Sequence, residues 1–424
     1  MAAAAPSGNE SMATELRHYS DARWGEFCLS AVCHRVADII AAIQPMQAAD
    51  EYRAGVFDFV KSLIIECHGE CPILPVGSVP IRTYLPDGDI DIACLFPPHV
   101  MNNWFIPLKE KLEEAQERPN APFAITDVTP IFAEVMIIKC RVGSIPIDIS
   151  ATQSAGIFTA VFFERVNRQF GQNDLFKRTV IITKAWASYE ARILGSHHSL
   201  ISTYSLQTML LHIFATRRVV SPLQGLAMFV EYYATFDWDN NGLSICGPIP
   251  AEELEAMDPS SDAFPRPLPP VLAPLAEDLN ELIRIRRFAH TSAGRAVTPF
   301  RRRYMDILDP LAAWNNIGRS VALSNRLRIR RAFEVGKDSI LALLNGAKSG
   351  RTTLPKAIAL TDMIFANTWV RADPAARTDV VDMATLSPND ELHWCSNEAE
   401  LRANAMQAVS FMSGLRRWEA EGQD

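Results

Sequence analysis

No stretch of the 424 residues reaches the ~18 consecutive apolar positions of a membrane-spanning helix, so no membrane association is expected. Met1 to Pro6 lack the positive n-region and apolar core of a secretory leader. Cysteine is sparse, eight in all, and scattered. Cys67 and Cys71 flank His68, and Cys28 and Cys33 precede His34, but neither pair has zinc-site spacing. They are read as reduced, mostly packed thiols of a cytoplasmic and/or nuclear protein. No internal repeat, coiled coil, zinc finger or separate RNA-recognition module is visible, so affinity for any RNA would be weak or supplied by a protein partner. Basic residues are in deficit, 41 against 49 acids, and the net charge of −8 by itself argues against a polyanionic partner. What remains is a globular composition, 48% apolar, with length for two domains.

The shortage of positive charge is uneven. Twelve arginines and only two acids, Asp306 and Asp309, lie between Arg284 and Arg331. The excess, which includes Arg284, Arg286, Arg287, Arg301, Arg302 and Arg303, marks a candidate polyphosphate or RNA surface. The bland alternative is a set of solvated helix faces paired with acids elsewhere.

The sharpest local signal is Gly77-Ser78 followed by Asp89-Ile90-Asp91. Leu74 to Ser78 reads as a short strand ending in a tight turn, and Ile90 to Phe96 as a buried strand. On that strand Asp89 and Asp91 are two residues apart, so both carboxylates leave one face while Ile90 and Ile92 enter a core. Residues 135–139 and 145–149 read as an apolar hairpin around Val142-Gly143-Ser144, with Asp148 its one carboxylate on the second strand. Pro146 favours an edge position for that strand. Three carboxylates on neighbouring strands beside a Gly-Ser turn suit a two-metal phosphoryl-transfer site. The turn offers backbone N–H groups and a hydroxyl to a triphosphate. A calcium loop starting at Asp87 fails, since its sixth and twelfth positions are Ile92 and Pro98.

Along the chain, residues 1–20 are small and polar and read as disordered. Phe27, Ala31, Val36, Ile39, Ile40 and Ile43 form a helical stripe ending before Pro45, and Tyr52, Val56, Val60, Leu63 and Ile64 form another. From Asp174 the pattern is helical: Leu175, Ile182, Trp186, Tyr189 and Ile193 share a face. Lys184 falls off that stripe and is by default a surface lysine. Ser202 is a plausible N-cap for the next helix. Six prolines between 258 and 274 mark a loop. His197 and His198 lack Cys or carboxylate partners at metal spacing and read as structural.

These motifs, taken in order, resemble the poly(A) polymerase and terminal uridylyltransferase branch of the DNA-polymerase-β-like nucleotidyltransferases, especially its plant-type members. The matching stretches are residues 75–91 (PVGSVPIRTYLPDGDID), 147–150 (IDIS), 175–178 (LFKR), 184–186 (KAW), 200–204 (LISTY), 236–240 (FDWDN), 309–310 (DP) and 315–321 (NNIGRSV). The resemblance implies an α+β chain. A mixed-sheet catalytic domain (51–173) would be joined to a helical PAP/OAS1-like substrate-binding domain (174–382). An N-terminal helix within 21–50 would pack on the helical domain, and a C-terminal helical extension would span 383–424. It implies that Mg²⁺, replaceable by Mn²⁺, is held by Asp89, Asp91 and Asp148. It further implies that Lys184 and Thr203 reach the triphosphate with Gly77, Ser78 and Ser202, that Tyr204 stacks on the base, and that Asn315, Asn316 and Arg319 belong to the nucleotide-recognition segment. Uridylyltransferases commonly carry His where Asn315 stands, which leans toward ATP. The leading expectation is transfer of AMP to an RNA 3′ end. Uridylyl transfer from UTP and a catalytically inactive RNA-binding or scaffold protein are the alternatives.

Overall fold

Apolar residues alternate with carboxylates in two short strands, and that alternation builds the centre of a five-stranded sheet. The computed structural model describes residue 26, residues 28–372 apart from 133, 134, 153 and 172, and residues 397–421. The strands are β1 (Ile73–Val76), β2 (Ile90–Cys94), β3 (Ile125–Ile131), β4 (Ile137–Val142) and β5 (Ile145–Ala151), in the order β1-β2-β5-β4-β3. Only the β2/β5 pair is parallel. Ile90, Ile92, Ile147 and Ile149 point to one side of the sheet. There they pack with Val56, Val60 and Leu63 of helix α2 (Gln47–His68) and with Leu108 and Leu112 of α4 (Phe105–Gln116), beside the short α3 (Pro98–Met101). Burying each such side chain is worth about 1.5–3 kcal/mol. The opposite side of β2 and β5 is thereby left to Asp91 and Asp148.

Pro146 does not mark an edge: β5 is central. Ile145 and Val142 flank the two-residue Gly143-Ser144 turn, so Pro146, opposite Arg141, turns its nitrogen away from β4. On that side β2 begins only at Ile90, opposite Ile147, so no ladder bond is lost.

The remainder is largely helical. It comprises α1 (residues 28–43), α5 (Ala155–Phe170), α6 (Leu175–Ala185), α7 (Thr203–Thr216), α8 (Pro222–Thr235), the short α9 (Ala251–Ala256), α10 (Ala276–Ser292), α11 (Leu323–Lys348), α12 (Leu354–Ile364), α13 (Ala366–Ala372) and α14 (Glu398–Glu421). α6 runs into a π-helical turn, Trp186–Glu190. Val36, Ile39 and Ile43 of α1 share one core with α6, α7, α8 and α11. Arg35 clamps α1 to α12 through both Asp362 oxygens, at 2.7 and 3.1 Å. The stripe residue Phe27 and residues 1–25 lie outside the described residues, as do residues 373–396.

Two small hairpins escape the sequence pattern: β6 (Asn241–Ser244) with β7 (Gly247–Pro250), and β8 (Leu308–Asp309) with β9 (Ala312–Asn316). Strands this short carry no readable alternation, and Gly and Pro interrupt β6 and β7 as well. Among the described residues no helix is long and apolar enough to cross a membrane.

Candidate active site

The parallel register places Asp91 directly opposite Asp148. Asp89 sits one residue before β2, on the same side as Asp91. Ligand oxygens of the three carboxylates all lie within 4.8 Å of one another. Among the described residues this is the one group of three or more Asp, Glu, His or Cys close enough to share an ion. Burial, followed by the charges of Asp89 and Asp148, pushes the Asp91 carboxyl well above its ordinary range. Burial also raises Asp148, with Lys139 pulling the other way. Crowded acidic oxygens that resist ionising together are a donor set that a divalent cation satisfies.

Gly77 is required by geometry. It follows β1 with φ of +73°, and a Cβ there would stand 2.2 Å from an Asp91 carboxylate oxygen. Ser78 is buried, and its carbonyl accepts from the Thr83 N–H at 2.9 Å, closing the turn. The turn is tied down on both sides. From α2, Arg53 donates to the Gly88 carbonyl at 2.9 Å and lies over the Tyr84 ring, while Asp50 accepts from the Tyr84 hydroxyl at 2.6 Å and pairs with Arg82. From the helical side, Tyr189 bonds to Asp87. Gln207 and Lys184 reach the Thr83 hydroxyl and carbonyl at 3.4 and 3.3 Å.

Lys184 is therefore not a surface lysine. α6 is enclosed on nearly every face, and Lys184 is buried. Burial lowers its pKa against the opposing pull of Asp89 and Asp91. The expected stripe continues through the π-helical turn that follows, with Trp186, Tyr189 and Ile193 buried in the same core as Leu175 and Ile182.

A second cluster lies where α7 begins. Ser202 caps α7, its hydroxyl accepting from the Ser205 N–H at 3.0 Å, and Thr203 and Tyr204 open the helix. The Ser205 hydroxyl donates to the Ile317 carbonyl at 2.6 Å, and Ser320 to that of Leu200 at 2.7 Å, lacing residues 317–320 onto this end of α7. Beneath is Asp309, its side chain fully buried. It accepts from the Tyr204 hydroxyl at 2.5 Å, from Arg286 through both oxygens at 2.9 and 2.7 Å, and from the Asn315 amide at 2.7 Å. Arg319 donates to the Asn315 amide oxygen at 2.7 Å. An acceptor-only partner on one side and a donor-only partner on the other fix which way this amide points.

Two expectations need correction here. Asn316 is buried, and its side chain serves Asp306, Arg301, Ile307 and Gly318 within the chain. It shapes the segment and offers no free polar group to a nucleotide. Arg286 is likewise buried against Asp309 and is not part of an RNA surface. Arg287 pairs with Asp262 and Arg302 with Asp306. Arg284, Arg301 and Arg303 are exposed.

Several site residues carried no sequence signal. Lys139, on β4 opposite Asp148, holds both of its oxygens at 2.7 and 2.5 Å. Arg53 acts through a carbonyl 35 residues away, and Asp309, though it stands in a matching motif, gave no sign of its bonds to Tyr204 and Arg286. His197 is exposed rather than packed as a core histidine; partial burial, then His198 and Lys139, lower its pKa, with Asp148 and Asp89 pulling the other way.

The parallel β2/β5 register, the carboxylate trio and the Gly-Ser turn have the arrangement of the polymerase-β-like nucleotidyltransferase fold. Residues 170–369, a little under half of the chain, match the PAP/OAS1 substrate-binding domain. Among solved structures, the chain is similar to a mutant of the Cid1 poly(U) polymerase bound to MgATP, with 14% identity and a TM-score of 0.53 over 76% of this chain and 95% of that one. The same polymerase bound to MgGTP gives 14% identity and a TM-score of 0.52 over 75% and 94%. A cytoplasmic RNA terminal U-transferase gives 15% identity and 0.51 over 76% and 92%. No curated protein sequence matches the chain.

Proposed function

We propose that the protein adds AMP from ATP to the 3′-hydroxyl of RNA without a template, releasing pyrophosphate. The observation that carries the transferase reading is the convergence of Asp89, Asp91 and Asp148 within 4.8 Å beside Gly77 and Ser78. These three carboxylates are the ligands for Mg²⁺, with Mn²⁺ a substitute. When bound, the metal lowers the pKa of the attacking hydroxyl and neutralises the leaving pyrophosphate. The chain's own part is positioning. The Gly77-Ser78 turn, the buried Lys184 ammonium and the Thr203 hydroxyl at the start of α7 hold the triphosphate. Tyr204, anchored by its hydroxyl to Asp309, presents its half-buried ring to the base.

The nucleotide choice rests on Asn315. Asp309 and Arg319 hold its amide in one orientation, leaving one N–H and one lone pair for a base edge. Asn is smaller than His and leaves space for a purine. A contact of this kind is worth about 1–3 kcal/mol, so the preference should be clear but not absolute. UTP is the second reading, because all three structures above belong to a poly(U) polymerase or a terminal U-transferase. A mutant of the former was solved with MgATP and the polymerase itself with MgGTP, so occupancy of such a site does not by itself fix the base. Side-by-side extension of a short RNA with each NTP tests the choice. ATP should be used best, and Asn315→His should move the ratio toward UTP. Better use of UTP by the unaltered protein would refute the role given to Asn315 and leave the transferase reading standing.

A further inference from the structure

Two lysines approach the carboxylate trio, and they are built differently. Lys184 is buried and tethered to the Thr83 carbonyl, and its ammonium stays in the site. Lys139 sits on β4 at the outer flank of the trio, in a row running across the sheet from Asp91 through Asp148 and Lys139 to Thr129. Its side chain is 38% exposed, yet its ammonium caps both oxygens of Asp148, which is only 17% exposed. A divalent ion bridged by the trio needs one of those oxygens. It cannot share them with an ammonium without strong like-charge repulsion at close range. The lysine stem is long and already reaches solvent, so its head has somewhere to go.

We propose that Lys139 is a displaceable counter-ion: metal binding at Asp148 proceeds by exchanging the Lys139 ammonium, and this competition holds the affinity of that position down. The inference rests on the trio being a metal site. Lys139 is a positioning residue, acting on the metal through Asp148. Among the described residues no ammonium is hydrogen-bonded to Asp89 or Asp91, and Lys139 acts on Asp91 only through space, so the weakening falls chiefly on the position that needs Asp148.

The test is Mn²⁺ titration of the full chain, without RNA or nucleotide, reading free ion by paramagnetic resonance. Lys139→Met should bind the Asp148-dependent ion about tenfold more tightly than the unaltered protein, within the usual range of coupling between two ligands. Lys139→Arg, which keeps the competing charge, should bind no more tightly than the unaltered protein. Adding Asp148→Asn to Lys139→Met should abolish the gain. Simple structural damage weakens metal binding, so tightening separates the two explanations. Lys139→Gln, with melting followed in EDTA, replaces Lys139→Met if that variant does not fold. Equal or weaker binding by the neutral variant overturns the proposal while leaving the metal site intact. Mn²⁺ binding that is indifferent to Asp89→Asn, Asp91→Asn and Asp148→Asn overturns the metal-site reading, and the competition with it.

Discussion

Gly77 measures how tightly the carboxylates are held. Its backbone is left-handed and its missing Cβ is the space that Asp91 occupies. Gly77→Ala should cost about 1–2 kcal/mol from backbone strain alone. It should also cut nucleotide addition, because the Asp91 carboxylate must move. A melting curve and an extension assay check both, and an alanine variant with unchanged activity would deny the crowding. Asp91 itself stores the opposite effect. Its carboxyl is raised well above the ordinary value of 3.8, so the metal-free folded chain binds a proton that the unfolded chain has released. Stability in EDTA should therefore fall as pH rises from about 3.8 toward the raised value. Asp91→Asn should then melt higher than the unaltered protein in EDTA at pH 7, with the advantage shrinking toward pH 4, while losing activity. Asp89, Asp91 and Asp148 were legible because period-two alternation is local. Lys139 was not, because its relation to Asp148 is a strand pairing that no spacing announces.

At the scale of elements, the start of α7 and the β8/β9 hairpin form one unit joined by Asp309. The capping role of Ser202 was readable from residue type and position. The role of Arg286 was not: it looked like one more arginine in a basic run, and its partner lies 23 residues away on another element. A fully buried carboxylate stripped of its guanidinium is expensive, so Arg286→Met should destabilise by about 3–5 kcal/mol, measured by denaturant unfolding. A loss below about 1 kcal/mol would place Asp309 in a wetter setting than the structure gives it. Pro146 teaches the same lesson for strands. Proline restricts one hydrogen-bonding side of one residue, and only the observed start of β2 decides whether that side needed a partner.

For the molecule as a whole, composition misled about charge in both directions. The net charge of −8 hides an arginine-rich stretch, and the stretch hides the acids that pair with it, Asp306 and Asp309 within and Asp262 outside. The proposed RNA surface therefore falls to fewer residues than the sequence suggested. Arg301→Gln together with Arg303→Gln should raise the RNA KM more than the ATP KM and flatten its salt dependence. Equal effects on both would remove these residues from the RNA path. The α+β architecture was legible because apolar periodicity and motif order survive in a single sequence. The small hairpins were not, being too short to show a period. The central claim is tested most directly by incubating the pure protein with a short RNA, Mg²⁺ and labelled ATP, alongside Asp91→Ala verified as folded. The account predicts extension of the RNA 3′ end by the unaltered protein, dependent on the metal, and none above background by the variant; extension by Asp91→Ala at a near-normal rate would contradict it.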